Sequence, residues 1–336
     1  MDERFISVVM PFRNASATID AALSGLLGAD EALEVLCIDD GSVDSGTDRV
    51  RAWGTRDPRV RLLRAEGRGL VAALQQGVAA ARGGLLARMD SDDLSLPGRM
   101  ARQREFLLQH PEVAVVGSRV EAFCDQGELG EGMERYVSWQ NALLTAEDHR
   151  RELFVESPLC HPSTMLRRGA LLAAGGYREL PLPEDYDLFL RLDQLGYALC
   201  KLPEVLLRWR HRPGRATFSD PRYSLDSMRT AKAPYLASRV ARSEKPRRVL
   251  WGAGPTGKRM ARSLEAHGLR FDLFIDVDPD KIGRTARGVP IAPMEALDAA
   301  TDVVVAAVGA RGARGLIRPY LCERGFREGY DFWFAA

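Results

Sequence analysis

A chain of 336 residues has room for two domains, or for one large domain with an appendage. Hydrophobic residues make up 46% and charged residues 28% of the chain, which is the balance of a soluble globular protein. The net charge of +1 and the lack of a basic tail argue against nucleic acid as a partner.

The five cysteines show no Cys-x-x-Cys spacing, so we expect reduced core thiols instead of a zinc site or a disulfide framework. The short apolar run near the start ends at Pro11 and fits a buried strand better than a signal peptide. No apolar run approaches the length of a membrane span. We expect a cytoplasmic protein, and leave open its oligomeric state and a peripheral association with the inner face of the membrane.

The first part of the chain alternates between short apolar strands and amphipathic helices. The predicted strands are residues 5–10, 33–38, 60–63 and 85–89. The predicted helices are residues 17–27, with Asn14 or Ser16 as the cap, and residues 69–82. This order is typical of a mainly parallel sheet with helices packed on it, in which ligands collect at the carboxyl ends of the strands.

Two acidic turns follow strands of this predicted sheet. Asp39 and Asp40 follow the second strand, and Asp90, Asp92 and Asp93 follow the fourth. Neighbouring carboxylates repel one another unless a cation offsets their charge, and Mg²⁺ binds through one or two carboxylates while keeping positions for water and phosphate. The later turn therefore predicts a metal and diphosphate site. The alternative is a solvated turn in which Asp93 caps the next helix.

A second series of elements follows the acidic turns. The predicted helices are residues 96–110, 169–174 and one that begins at about residue 184. The predicted strands are residues 113–117, 161–166, 199–202 and 205–209. Residues 124–147 are rich in glycine and acidic side chains and are predicted to form a loop. Residues 222–246 are interpreted as a helical linker.

Four motifs stand in the order found in the family-2 glycosyltransferases, and residues 4 to about 212 resemble that family. The motifs are residues 8–14, 38–44, 89–93 and 183–188. The resemblance implies an α/β fold class: a GT-A nucleotide-sugar transferase fold, with a mainly parallel mixed sheet. It also implies metal-dependent, inverting transfer of a hexose from a nucleotide-diphospho-sugar to a hydroxyl of a glycan or lipid-linked acceptor, in surface or secreted glycan synthesis.

The resemblance also assigns roles to individual residues. Asp185 matches the general base, and Asp92, with His211, matches the position of the Mg²⁺ or Mn²⁺ ligands. The donor-binding positions are Pro11, Arg13, Asp39, Asp40, Arg68, Asp90 and Arg210.

Each of these assignments has a plainer alternative. Asp39 can close an Asx turn, Asp185 can be a helix N-cap, and His211 can be a solvated histidine. Arg68 stands where the family often has Asn, and Arg88 where many members have an apolar residue, and both departures blur donor specificity.

A separate α/β pattern begins near residue 247. The spacing of Gly252, Gly254 and Gly257, between a strand and a helix, and the following Asp276 predict a Rossmann-like unit and a second nucleotide site, for NAD or another nucleotide. About ninety residues are too few for a full dinucleotide domain, so a structural appendage is the alternative. The predicted domains are residues 1–221, a linker at 222–246, and a small Rossmann-like α/β domain at 247–336.

Two other functions compete with glycosyl transfer. One is a nucleotide-sensing or scaffold protein with an inactive transferase domain, and the presence of Asp40, Asp92 and Asp185 argues against it. The other is an NAD-linked sugar oxidoreductase, for which no Tyr-Lys or Cys-His constellation is seen. The donor sugar, the nucleotide, the acceptor and the linkage depend on pocket shape and cannot be read from these motifs.

Overall fold

Residues 4–28, 32–65, 67–212 and 220–336 are described by a computed structural model of the chain, and they divide into two units. The first unit lies within residues 1–149 and 158–220, and the second comprises residues 150–157 and 221–336. The predicted linker, residues 222–246, is part of the second unit. Residues 150–157 also belong to the second unit, although the chain returns to the first unit at residue 158.

The first unit is built on one eight-stranded sheet. Its strands are β1 (Ile6–Phe12), β2 (Leu33–Asp39), β3 (Val60–Arg64), β4 (Leu85–Arg88), β5 (Leu94–Ser95), β6 (Val113–Cys124), β7 (Met165–Arg167) and β8 (Ala198–His211). Their spatial order is β3-β2-β1-β4-β7-β6-β8-β5. The first four strands in that order run parallel, and β7 is antiparallel to both of its neighbours. The predicted α/β class and mainly parallel mixed sheet are confirmed.

Helices cover this sheet, which explains why its central strands are apolar on both faces. They are α1 (Ile19–Leu27), α2 (Gly46–Arg56), α3 (Leu70–Ala80), α4 (Arg99–Gln109), α5 (Glu131–Ala142), α6 (Ala146–Glu152), α7 (Arg168–Ala173) and α8 (Glu184–Gln194). All seven residues of β1 and of β2 are buried, as expected of parallel strands with helices on each side.

The prediction of a loop at residues 124–147 is wrong. Strand β6 continues to Cys124, and α5 and the start of α6 occupy most of the remainder. The side chains of Met133, Tyr136 and Val137 pack against the core, so three apolar groups suffice to hold a helix whose other residues are mainly polar. The many glycines and acidic residues hid this short apolar stripe.

The predicted cap of α1 is also wrong. The helix begins at Ile19, after Thr18, and neither Asn14 nor Ser16 caps it. Asn14 has a φ of 53°, a left-handed conformation that asparagine tolerates better than most residues. Its backbone and side chain bond instead to the loop after β2, as described below.

The second unit contains a six-stranded sheet. Its elements are α9 (Leu225–Ala241), β9 (Arg247–Trp251), α10 (Pro255–Glu265), β10 (Leu273–Ile275), β11 (Thr285–Ala286), β12 (Val289–Ala292), β13 (Asp302–Ala306), α11 (Ala313–Glu323) and β14 (Phe332–Phe334). The order is β11-β12-β10-β9-β13-β14, and only β11 pairs antiparallel. The parallel strands thus follow the doubly wound order 3-2-1-4-5 of a Rossmann-like sheet. No helix within the described residues is both long and apolar enough to cross a bilayer.

A buried lysine attaches residues 150–157 to the second unit. The Lys232 ammonium donates to the carbonyl oxygens of Phe154 and Val155, each at 2.8 Å, and of Ala335 at 3.1 Å. Burial lowers the pKa of Lys232 to about 8. Glu152 adds ion pairs to Arg314 and Arg318 of α11.

The glycine turn after β9 uses its three glycines differently. A Cβ on Gly257 would lie 1.8 Å from the carbonyl oxygen of Gly252, so α10 can approach the strand only without a side chain there. Gly252 has a φ of 120°, a conformation that favours glycine. A Cβ on Gly254 would meet nothing within 4 Å.

We predict that Gly257→Ala destabilises the second unit by about 3 kcal/mol, the upper part of the usual cost of overpacking, because the clash is with backbone. Urea unfolding followed by the fluorescence of Trp251 and Trp333 measures this change. Gly254→Ser is the matched control and should leave the midpoint unchanged, since its side chain enters open space. Equal midpoints for wild type and Gly257→Ala would contradict the packing described here.

Candidate functional site

The carboxyl ends of β1, β2 and β4 lie side by side at one edge of the first sheet. Phe12 is the register partner of Asp39, and Val9 of Arg88, so the loops that follow these strands are neighbours. The predicted donor-binding residues Pro11 and Arg13 are at this edge, with Pro11 buried in β1 and Arg13 exposed just beyond it.

Asp39 closes the turn after β2. One carboxylate oxygen accepts from the Ser42 N–H at 2.8 Å and the other from the Thr47 hydroxyl at 2.7 Å. Burial alone would raise the pKa of Asp39, but these hydrogen bonds and the Arg64 charge outweigh it and lower the pKa. This carboxylate therefore fixes its own loop, through the N–H three residues on and the first turn of α2, rather than through an Asx turn to the N–H two residues on. A cavity of about 380 Å³ opens beside it, lined in part by Asp44, Thr47 and Arg64.

Hydrogen bonds join the loop after β1 to the loop after β2. Asn14 donates its N–H to the Ser42 hydroxyl at 3.0 Å and accepts from the Val43 N–H at 2.9 Å. Asp44 accepts from the N–H groups of Ser16, at 2.8 Å, and Gly46, at 2.9 Å. These four hydrogen bonds fix the rim of the cavity. The only indication of them in the sequence is that Asn14 and Asp44 belong to the motifs at residues 8–14 and 38–44.

Asp40 and Arg68 are brought together. The Asp40 carboxylate accepts from the Gly69 N–H at 3.0 Å. A Cβ on Gly41 would lie 3.2 Å from the Cα of Gly67, and both glycines have positive φ, so the two loops approach backbone to backbone. The exposed Arg68 side chain thus stands next to the turn that holds Asp40.

Arginines surround the acidic turn after β4. The Arg88 guanidinium, which is buried, lies 2.6 Å from Asp90. From β8, Arg210 donates its N–H to the Asp93 carboxylate at 2.8 Å and its side chain to the Asp92 carbonyl at 2.6 Å. Asp93 therefore does not cap the next helix: α4 begins after Gly98, without a side-chain cap. Arg210 is predicted to contact the diphosphate, whereas its bonds to the acidic turn have no signal in the sequence.

Asp92 suits a metal ligand, although the ligand set is small. Within the described ranges no group of three or more His, Cys, Asp or Glu side chains is arranged to hold a metal ion. The Asp92 carboxylate lies 3.1 Å from the half-exposed guanidinium of Arg212, which shows that its position attracts a cation. Mg²⁺ needs only one or two carboxylates when phosphate and water complete its shell.

The predicted second metal ligand, His211, is buried, which excludes the solvated alternative. Its ring lies against Trp209, with the ring centroids 4.3 Å apart. It follows Arg210 directly, so β8 carries it to the same end of the sheet as the acidic turn.

Asp185 occupies the first turn of α8. The N-cap is Pro183, so the interpretation of Asp185 as the N-cap is wrong; its carboxylate accepts from the Tyr186 N–H at 2.8 Å. Burial and the adjacent Glu184 raise the pKa of Asp185 to about 6, and His161 opposes them. A half-buried carboxyl group with such a pKa is ionised at neutral pH and can accept a proton there.

Arg99 connects β4 with the segment next to Asp185. Its guanidinium donates to the carbonyl oxygens of Arg88, at 2.7 Å, and Pro162, at 2.6 Å. Gln103, one turn further along α4, donates to the Ser163 carbonyl at 2.7 Å. Complete burial lowers the pKa of Arg99 to about 10, so the group stays charged at neutral pH.

The second unit has a separate cavity of about 760 Å³ at the carboxyl ends of β9 and β13. The predicted residues Gly252, Gly254, Gly257 and Asp276 all line it. Asp276 accepts from the N–H groups of Ala253 at 2.9 Å and Asp278 at 3.0 Å, and lies 3.4 Å from the Lys281 ammonium. Its carboxylate therefore shapes the glycine turn. Most of the lining is apolar, including Val277, Leu316 and Tyr320.

Two family models match the chain. The model described as glycosyl transferase family 2 matches residues 7–173, and the one described as CoA binding domain matches residues 244–319. The first match falls in the first unit except for residues 150–157, and the second lies wholly within the second unit.

Curated relatives include the amylovoran biosynthesis glycosyltransferase AmsE of Erwinia amylovora, 29% identical over 59% of this chain and 70% of that protein. The putative glycosyltransferase EpsE of Bacillus subtilis is 27% identical over 66% of this chain and 78% of its own length. The O-antigen biosynthesis glycosyltransferase WbnJ of Escherichia coli is 26% identical over 56% and 71%. These matches cover between half and two thirds of the present chain.

Solved structures support the same fold. A crystal structure of residues 1–349 of S. aureus TarS in complex with UDP-GlcNAc superposes with a TM-score of 0.54. The identity is 15%, and the match covers 80% of this chain and 71% of that one. Together with the strand order and the acidic turns, the family model shows that the first unit carries a glycosyl transferase family 2 domain, and a Rossmann-like domain follows it in the chain.

Proposed function

We propose that this glycosyltransferase moves a sugar, with inversion, from a nucleotide-diphospho-sugar to a hydroxyl of a glycan or lipid-linked acceptor. The observation that carries the proposal is the half-buried Asp185 in the first turn of α8, beside the buried Glu184, with a pKa raised to about 6. The names of AmsE and WbnJ support a role in surface or secreted glycan synthesis, and the UDP-GlcNAc complex of TarS supports a nucleotide-sugar donor. We infer that it acts in the cytoplasm.

In this mechanism the acceptor oxygen attacks the anomeric carbon on the face opposite the diphosphate. The bond from that carbon to the diphosphate oxygen breaks, and Asp185 takes the proton of the acceptor hydroxyl. Because only the ionised carboxylate can do this, turnover falls as the pH falls through about 6. Arg88 interacts with both Asp90 and Glu184 and so links the donor turn to the helix of the base.

Asp92, with His211, would hold Mg²⁺ or Mn²⁺. The ion, when bound, neutralises charge that develops on the leaving diphosphate. Arg210 fixes the turn that presents Asp92. Asp39 and Asp40 fix the loops beside the cavity of about 380 Å³, which would take the nucleoside. Arg68 and Arg13 are exposed at that edge and can pair with phosphate.

Asp185→Asn should lower turnover by roughly a hundredfold or more, the usual contribution of a general base. Donor affinity should hardly change, since the proton removed belongs to the acceptor. The melting temperature should also stay near that of wild type, because Pro183 holds the N-cap position. Glu179→Gln, an exposed acid in the preceding loop, is the matched control. Near-normal turnover of Asp185→Asn would transfer the role of base to another residue.

Asp92→Asn should weaken Mn²⁺-dependent binding of UDP or GDP by at least the roughly tenfold to hundredfold lost when a residue supporting a metal ligand is removed. Titration calorimetry with and without Mn²⁺ measures this loss, and the folded fraction is checked by thermal unfolding. Glu121→Gln, an exposed acid on β6 paired with Arg208, should bind like wild type. The same affinity in Asp92→Asn and wild type would remove the acidic turn from the metal site.

A second function, nucleotide binding by the C-terminal domain, is favoured by its cavity of about 760 Å³. The start of α10 offers backbone N–H groups to a phosphate, and Lys281 adds a positive charge. The apolar walls suit a base. The family model named for coenzyme A, itself a nucleotide, agrees with this chemistry.

Gly254→Val should abolish this binding by placing a branched side chain where a phosphate would approach, without disturbing the fold, since the position faces open space. Gly254→Ser is the smaller control. Calorimetry of the full chain carrying Asp92→Asn, with coenzyme A, NAD and UDP-GlcNAc as probes and no metal, separates this site from the transferase site. If none of the probes binds, the domain is structural.

A further inference from the structure

A buried histidine lies between a tyrosine and the acidic start of α8. His161 is 6% exposed. Its Nε2 is 2.9 Å from the Tyr177 hydroxyl, and its Nδ1 is 3.4 Å from a Glu184 carboxylate oxygen. The ring also meets Phe189 edge-on, with the centroids 6.3 Å apart. Both ring nitrogens therefore face polar partners inside the protein.

The backbone around this histidine is held from several sides. The His161 carbonyl accepts from the Thr164 hydroxyl at 2.7 Å. The next two carbonyls, of Pro162 and Ser163, accept from Arg99 and Gln103. The imidazole is thus presented by a rigid turn, which is what precise placement of a neighbouring group requires.

The charges next to His161 need a counterbalance. The buried Glu184 and the half-buried Asp185 are adjacent carboxylates in the first turn of α8, and the charge of Glu184 raises the pKa of Asp185. His161 lowers the pKa of Asp185, against the effects of burial and Glu184. The other titratable or charged groups that face this pair are Tyr177, Arg88 and the mutually paired Asp187 and Arg191.

We propose that His161 is a positioning residue of the transfer reaction, which contacts Glu184 through Nδ1 and is itself oriented by Tyr177, at the start of the helix that carries the base. The inference rests on the proposed function, in which Asp185 is the base. The tyrosine hydroxyl can donate to a neutral Nε2 or accept from a protonated one, so the imidazole keeps a partner in either charge state. A purely structural histidine would require the same packing but would not affect how the base titrates.

The test is the pH profile of kcat/KM. In wild type the acidic limb should lie near pH 6. His161→Gln keeps hydrogen-bonding groups but cannot carry a positive charge, so the limb should move to higher pH by about one unit, the size of shift that one nearby charge produces. At alkaline pH, where Asp185 is ionised anyway, kcat/KM should stay within a few-fold of wild type.

Controls separate this role from packing. Phe189→Leu removes a ring contact to His161 and should lower the melting temperature without moving the limb. Tyr177→Phe removes only the hydroxyl that orients the imidazole, so it should move the acidic limb in the same direction as His161→Gln but by less, with the plateau of kcat/KM within a few-fold of wild type. His161→Asn replaces His161→Gln if the latter fails to fold.

An unmoved acidic limb in a folded His161 variant overturns the proposal. If neither His161 variant folds, a Tyr177→Phe enzyme with the wild-type acidic limb overturns it. The proposed function fails separately: if Asp185→Asn keeps both its turnover and its acidic limb, Asp185 is not the base, whatever His161 does.

Discussion

The side chain of Arg99 joins the end of β4 to the turn at residues 161–163. Its guanidinium is fully buried and donates hydrogen bonds to the carbonyl oxygens of Arg88, the last residue of β4, and of Pro162. Loss of this group would leave two buried carbonyl oxygens without that donor, and each such loss costs about 1–3 kcal/mol. The larger consequence is geometric: the Arg99 guanidinium helps to fix the end of β4, which leads into the acidic turn, relative to the turn at residues 161–163.

The sheets of the two units begin with the same order of parallel strands. When only the parallel strands are counted, the first strand of each sheet has the second and third on one side and the fourth on the other. These strands are β1, β2, β3 and β4 in the first sheet and β9, β10, β12 and β13 in the second. In each, an aspartate at the end of the second strand accepts from backbone N–H groups: Asp39 from its own turn, and Asp276 from its own turn and the loop after the first strand. A carboxylate in this position fixes the shape of the loop by accepting hydrogen bonds from its backbone N–H groups. It can therefore be essential for binding without touching a ligand.

Strands β1, β2 and β4 and the acidic turns could be predicted from sequence because buried parallel strands are continuous apolar runs that end abruptly. What could not be predicted depends on partners distant in the chain. Arg99 reads as an exposed helix residue until the Pro162 carbonyl, 63 residues away, is placed beside it. The pairing of His161 with Glu184 and the bond from Arg210 to Asp93 are of the same kind. Helix α5 was missed for a local reason, since its apolar stripe is only three residues.

The attachment of residues 150–157 to the second unit has a consequence for synthesis on the ribosome. This segment emerges before the last strand of the first sheet, but Lys232, Arg314 and Arg318, which bind it, are made 75 or more residues later. Until then Glu152 and the carbonyls of Phe154 and Val155 have no such partners. The nascent transferase therefore carries an unfinished segment directly upstream of His161 until nearly the whole chain is translated. A chain that stops at the end of the transferase region would keep that segment exposed, as a site for proteases and chaperones.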